Sequence, residues 1–445
     1  MTYDLAIEGG EVVTPQFRRR LNVYVAGDKI AAVTPDAQPA RETVDASGLL
    51  VMPGMVDTHV HFMDPGDTSR EDFPTGTAAA AGAGVTSVIE HTHAAPVISA
   101  DDLADKRSYL GARSRVDFAL AAHAWPDRLE DVAGVWRAGA AFIKAFTCTT
   151  HGVPGFDPAH LHALFAEIAR EEAICLAHCE DESLTSEAER TLHAAGRTDG
   201  SVIPAWRNPE AELSALAVAR VLADATGARV VAAHVSHTAA LETARGLVVE
   251  TCPQYLTLLE DEVLEHGAFR KFTPPARARS AADLEAMWQA LRDGAVDYVS
   301  SDHAPSTGEQ KRAGSIWAVH FGLPGVDTTL PILLNGAHAG RISYERLVSL
   351  YSEMPARIYG LWPDKGRLEP GADADLVLVD PSARWTITDD AILSKAGWSP
   401  FAGQRIVGRA VRTYARGTLA AVDGNVVAEP GAGRFLPGRG AQEAI

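Results

Sequence analysis

Two histidines one residue apart, His59 and His61, end an apolar stretch that begins at Met55. On a strand, residues i and i+2 face the same way, so both imidazoles can aim at one point. Neutral imidazole suits zinc and its neighbouring divalent ions. A lone His-x-His also fits a surface strand, and the chain holds 16 histidines. Four further groups favour a metal centre. Lys144 lies inside the apolar run Phe142–Phe146, and His178, His234 and Asp302 each close a different apolar run. In a parallel barrel such strand ends meet on one rim, where the loops are free to build an active site.

Lys144 has two readings. A bare cation among Phe142, Ile143 and Phe146 is costly. Burial lowers the pKa and frees the neutral amine. Between metals that amine can take up carbon dioxide as a carbamate, which gives an anionic oxygen ligand able to bridge two ions. Alternatively its ammonium reaches the rim and pairs with Asp302, and the residues alone leave both open. His91, His93, His123 and Glu250 also fall near strand ends, where side chains more often orient metal ligands than bind metal themselves. Cys175 and Cys179 share a face opposite His178, which argues against a thiolate site.

These groups need parallel strands with a common edge. Eight candidates fit: Met55–His61, Val85–Glu90, Val116–His123, Ala140–Phe146, Ala173–Cys179, Ala228–Val235, Gly246–Thr251 and Val296–Asp302. Helical signatures lie between them. Asp157-Pro158 reads as an N-cap with proline at the first helical position, ahead of Leu161, Leu164, Phe165 and Ile168 on one face. Ser280 and Asp283 open another helix, which carries Leu284, Met287, Trp288 and Leu291 and ends at Gly294. Eight strands alternating with helices over ~250 residues predict a closed (β/α)₈ barrel, with an open doubly wound sheet as the alternative. The long interval from Cys179 to Ala228 predicts an insertion.

Short strand patterns stand at both ends of the chain. Asp4–Glu8 and Glu11–Val13 come first, then Asn22–Val25 and Lys29–Val33 around a Gly27-Asp28 turn. Ala374–Val379, Arg405–Val407, Val411–Ala415 and Gly424–Val427 follow the barrel. The expected organisation is an α/β protein. Residues 1–52 and 361–445 together build a small β-sandwich, and residues 53–360 form the barrel. The glycine-rich stretch from Gly431 to Ile445 is expected to be loosely held.

Composition narrows the function class. Forty Lys and Arg against 58 Asp and Glu leave a formal charge of −18, unsuited to nucleic acid or an anionic membrane. No apolar run approaches the ~18 residues of a membrane span, and Met1-Thr2-Tyr3-Asp4 does not open a signal peptide. Four cysteines in 445 residues predict a reduced, cytoplasmic enzyme rather than a disulfide scaffold.

The motifs resemble the cyclic amidohydrolases of the amidohydrolase superfamily, which include allantoinases, dihydroorotases, hydantoinases and dihydropyrimidinases. The matching segments are Pro53–His61, Phe142–Phe146, Ala177–Glu180, Ala233–Ser236, Glu250–Pro253, Ser301–Pro305, Lys365–Leu368 and Gly371–Leu376, in the family's order. The resemblance implies two divalent ions, usually zinc. His59 and His61 would bind the more buried ion, His178 and His234 the other, with carbamylated Lys144 bridging and Asp302 completing the buried site. It implies hydrolytic opening of a cyclic amide, with Asp302 carrying the proton, and a homo-oligomer, often a tetramer. Members that lost their ligands serve as assembly scaffolds, but every ligand position is retained here.

Departures bear on the ring. Dihydroorotases grip a carboxylate with an arginine two residues after the second histidine and a histidine four residues after the aspartate. Here those positions are Met63 and Ser306. The oxyanion-donating tyrosine of hydantoinases, five residues after the lysine, is Thr149. Asp64–Phe73 and Ser399–Gly403 look most like allantoinase, whereas Glu90-His91-Thr92-His93 replaces the usual Met-Pro-Asn or Met-Pro-Leu stretch. Allantoin is therefore the leading substrate, and a hydantoin, dihydropyrimidine or cyclic imide is the alternative. Met63, His93, Thr273 and Pro324 are the candidate substrate contacts.

Overall fold

The computed structural model describes residues 2–442. Each of the eight apolar runs carries a barrel strand: Met55–Val60, Val85–Glu90, Asp117–Leu120 continued by Ala122–His123, Ile143–Phe146, Ile174–His178, Arg229–Ala232, Val248–Thr251 and Tyr298–Val299. Neighbours in sequence pair in parallel. The ring closes where Val60 bridges His303 and the His61 N–H donates to the His303 carbonyl at 2.7 Å. Closure rules out the open doubly wound sheet. Nearly every residue of these strands is buried, because side chains fill one face and helices cover the other.

The last strands are shorter than expected. The sixth stops at Ala232 and the eighth at Val299, so His234 and Asp302 lie beyond the ladder. Both turn over the rim in the left-handed region, with φ of 38° and 49°. The helical readings are matched. The Asp157 side chain accepts the His160 N–H at 2.9 Å and caps Pro158–Arg170, which buries Leu161, Leu164, Phe165 and Ile168. Ser280 caps Ala281–Asp293, and Gly294 ends it at φ 84°. The interval after Cys179 holds the helices Glu182–Ala194, Val202–Trp206 and Pro209–Thr226.

Both chain ends build the second layer system. In one seven-stranded sheet, Leu50–Pro53 lies between Glu11–Val13 and Leu376–Thr386, so the N- and C-terminal segments hydrogen-bond directly. A four-stranded sheet of Lys29–Thr34, Asn22–Ala26, Tyr3–Glu8 and Ala40–Asp45 packs with it around Leu5, Ile7, Val12, Val51, Leu376 and Leu378. Two expected C-terminal strands are one, Arg405–Ala415, bent by irregular register against its neighbour. The described part of the tail is not loose. Phe118 N–H donates to Arg434 O (2.9 Å), Leu436 N–H returns to Phe118 O (2.7 Å), and the Phe435 ring packs on Phe118. No helix among the described residues is long and apolar enough to cross a membrane.

A buried ionic cluster joins the barrel to this sandwich. Lys365 Nζ lies 2.5 Å from Asp117, 2.8 Å from Asp373 and 2.8 Å from Asp375. Arg416 also meets Asp117. Three converging carboxylates have the look of a cation site, but the ammonium fills it. Removing the cation would strand buried acids, so Lys365→Ala is expected to cost about 3–5 kcal/mol. Urea unfolding checks this value.

Candidate active site

The predicted ligands converge at the C-terminal rim, on opposite walls of one cavity. His59 and His61 project side by side from the first strand. His59 Nδ1 donates to Glu250 Oε2 at 2.8 Å, which leaves the Nε2 lone pair 3.2 Å from Asp302 Oδ1. His61 Nδ1 donates to the His91 carbonyl at 3.1 Å, and its Nε2 lies 3.8 Å from the same Asp302 oxygen. A ligating histidine needs its other nitrogen held by an acceptor, which sets the tautomer. On the facing wall the pattern is reversed. His178 Nε2 donates to Glu180 Oε2 at 2.7 Å, and its Nδ1 sits 2.9 Å from His234 Nε2. Two lone pairs in that position would repel each other unless a proton or a cation lay between them.

Glu250 ties the two halves together, since its Oε2 also accepts the His234 backbone N–H at 2.9 Å. Burial alone would raise the Glu180 carboxyl, but Arg207 (3.2 Å), His178 and the Thr273 hydroxyl (2.7 Å) hold it down at about 2. Below the rim, Asp57 braces the strand ends. It accepts from Ser301 N–H (3.1 Å), His59 N–H (3.3 Å) and Tyr351 O–H (2.8 Å). Burial, then the mutual repulsion of neighbouring histidines, pushes the His61 and His91 imidazoles far below their ordinary range. These rings are therefore neutral, as metal ligation requires.

Lys144 is 1 % exposed, and its Nζ lies 5.2 Å from the Phe146 ring centre. Burial lowers its pKa, although Glu250 and Asp302 pull the other way. Among the described residues it forms no ion pair, so the alternative reading of a Lys144–Asp302 pair is not met. Burial lifts the Asp302 carboxyl to about 6, against the pull of His59 and Lys144. The thiols offer no competing site. Burial pushes Cys148 and Cys175 up to about 12. Cys148 does lie near His178 and Glu180, but Glu180 is already taken by Arg207 and Thr273.

These ligands line one cavity at the rim. Beyond the ligands it is lined by His93, Phe146, His151, Thr273, Ala304, Phe321 and Gly322. Of the four residues expected to contact substrate, His93 and Thr273 line this cavity. Met63 and Pro324 do not. Met63 sits at φ 58°, fully buried, and its sulfur accepts the Thr92 hydroxyl at 3.2 Å. Pro324 is buried in the segment whose Gly325 amide donates to His303 Nδ1, behind the cavity wall. The expectation missed His151, two residues past Thr149. Its signal was the His-Gly pair in a short loop after the lysine strand.

Comparison with known proteins follows the same lines. The amidohydrolase family matches residues 50–407. An allantoinase from Rubrobacter xylanophilus is 36% identical over 452 residues, spanning 98% of this chain and 97% of that one. An L-hydantoinase from Paenarthrobacter aurescens is 32% identical over 455 residues, spanning 98% of each chain. The structure of L-hydantoinase (dihydropyrimidinase) from Arthrobacter aurescens superimposes with a TM-score of 0.93 at 31% identity, covering 98% of this chain and all of that one.

Proposed function

We propose, from the premise that this chain belongs to the amidohydrolase family, that it is a metal-dependent hydrolase opening a cyclic ureide, with allantoin the leading substrate. The observation that carries the reading is the pairing of tautomers. His59 and His61 present Nε2 on one side, while His178 Nδ1 and His234 Nε2 meet on the other, and His59, His61 and His178 are each oriented by an acceptor behind the ring. That donor set would hold two divalent ions, most simply zinc, with Lys144, once carbamylated, supplying an anionic oxygen ligand and Asp302 a further carboxylate on the buried side. When bound, such ions supply a hydroxide at neutral pH and polarise the amide carbonyl. Asp302 receives the proton of the attacking water and returns it to the ring nitrogen as the C–N bond breaks. Phe146 and Phe321 line the same cavity and present apolar surface to the ring. All four cysteines are free and buried, which supports a reducing compartment and hence the cytoplasm. Assembly as a homo-oligomer rests on the resemblance alone.

Among the described residues, the lining contains no arginine, and its one lysine belongs to the metal set. Arg70 does not replace the missing cation, because its guanidinium is held by the carbonyls of Pro305 (2.9 Å) and Phe321 (3.5 Å). Bringing a carboxylate into such a site costs several kcal/mol with nothing to receive it. Allantoin and neutral hydantoins are therefore expected to exceed dihydroorotate in kcat/KM by at least about tenfold. The hydantoin reading draws its support from the likeness to L-hydantoinase. A single panel of allantoin, hydantoin, dihydrouracil and dihydroorotate, run on enzyme reconstituted with zinc and bicarbonate, tests the proposal. Fewer than one ion per chain, or no ring opened, overturns it. Dihydroorotate as the best substrate overturns the choice of ring.

A further inference from the structure

We propose that His93 and His151 together read the part of the ring remote from the bond that is cut, selecting rings with an N–H and C=O there. This rests on the ring-opening function proposed above. His151 stands at the tip of a two-residue turn. Thr150 N–H donates to Val153 O (3.1 Å), Val153 N–H returns to Thr150 O (2.9 Å), and both intervening residues, His151 and Gly152, have positive φ (54° and 78°). Turns of this kind favour Asn or Asp before the glycine. Histidine tolerates positive φ, but among the described residues the His151 side chain makes no hydrogen bond within the turn. Instead its ring lies over the cavity and stacks on His93, with centres 4.2 Å apart and planes 24° apart. His93 in turn lies against His61, at 4.9 Å between ring centres, and so adjoins the metal half.

Both nitrogens of His93 are buried, and among the described residues neither has a hydrogen-bond partner. An unpaired buried donor is costly, and the cavity is the free side from which a partner can come. A neutral imidazole offers one donor and one acceptor, the complement of a ureide's C=O and N–H. Phe146 and Phe321 stand edge-on to His151, at 6.4 Å and 6.1 Å, and confine the ring between them. The metal half thus acts on one carbonyl, while the histidine stack, running outward from His61 through His93 to His151, offers its hydrogen-bonding groups to the rest of the ring.

Hydantoin and succinimide test this, because they share the imide but succinimide carries CH2 where hydantoin has the remote N–H. Wild-type enzyme is expected to prefer hydantoin. His151→Asn suits the turn, so it should keep the melting temperature and the metal content. It should nonetheless lose roughly tenfold or more in kcat/KM for hydantoin, mainly through KM, and the preference over succinimide should fall to about one. His93→Leu should do the same. If both variants hold the wild-type preference, the inference is wrong while the ring-opening function stands. A wild type that opens neither hydantoin, succinimide nor allantoin overturns both.

Discussion

Asp302→Asn is expected to slow ring opening by roughly 10²–10⁴-fold, the scale of a lost general acid–base. The amide keeps the shape of the carboxyl but cannot carry a proton between water and ring nitrogen. It also weakens the buried donor set, since Asp302 Oδ1 lies within 3.2 Å of His59 Nε2 and 3.8 Å of His61 Nε2. The two effects separate experimentally. Loss of turnover at full metal content marks the proton role, and turnover that tracks metal content marks ligation alone. Near-wild-type turnover would assign the proton to another group.

Lys144→Ala is expected to lose both metal and activity, with residual turnover at least about 10²-fold down. If the lysine acts as a carbamate, a short carboxylic acid such as acetate or propionate, added with zinc, restores part of the activity by putting carboxylate oxygens into the vacated space. A lysine that only fills volume predicts no such rescue. Metal content by elemental analysis, with and without the acid, gives the answer. Full occupancy in the unrescued variant would remove the bridging role.

Lys144 was legible in the sequence because the strand that carries it is. Parallel strands buried on both faces read as continuous apolar runs. A charged group inside such a run, or a ligating group at its end, stands out, as Lys144 and His178 do. Other features were legible only in part. Leu50–Pro53 was given no strand of its own within residues 1–52, yet it is a central strand of the flanking sheet, paired with residues more than 300 positions away. Thr418–Val422 follows a turn in a segment with weak alternation and was not read as a strand at all. Asp57 and Glu180 sit inside recognised motifs, but what they do depends on Tyr351, Arg207 and Thr273, which come from distant parts of the chain. His234 and Asp302 were expected at strand ends. The actual ends come earlier, because the backbone must enter the left-handed region to turn those side chains inward, and no local pattern marks that turn.

The sheet that joins the two chain ends imposes an order on synthesis. Pro53 pairs with Leu376 and Leu50 with Val379, so the whole barrel is made between the two halves of one ladder. At ~5–20 residues per second, the interval of about 320 residues takes roughly 16–64 s. Throughout that time Leu50–Pro53 has an open edge on the side its partner will occupy, and the small apolar core around Val12 and Val51 lacks Leu376 and Leu378. The flanking sandwich is therefore the last part of the molecule to close, and the C-terminal strands act as its clasp. A ribosome stalled before residue 376 would hold a chain whose catalytic ligands have all been synthesised but whose first sheet is still waiting for its partner.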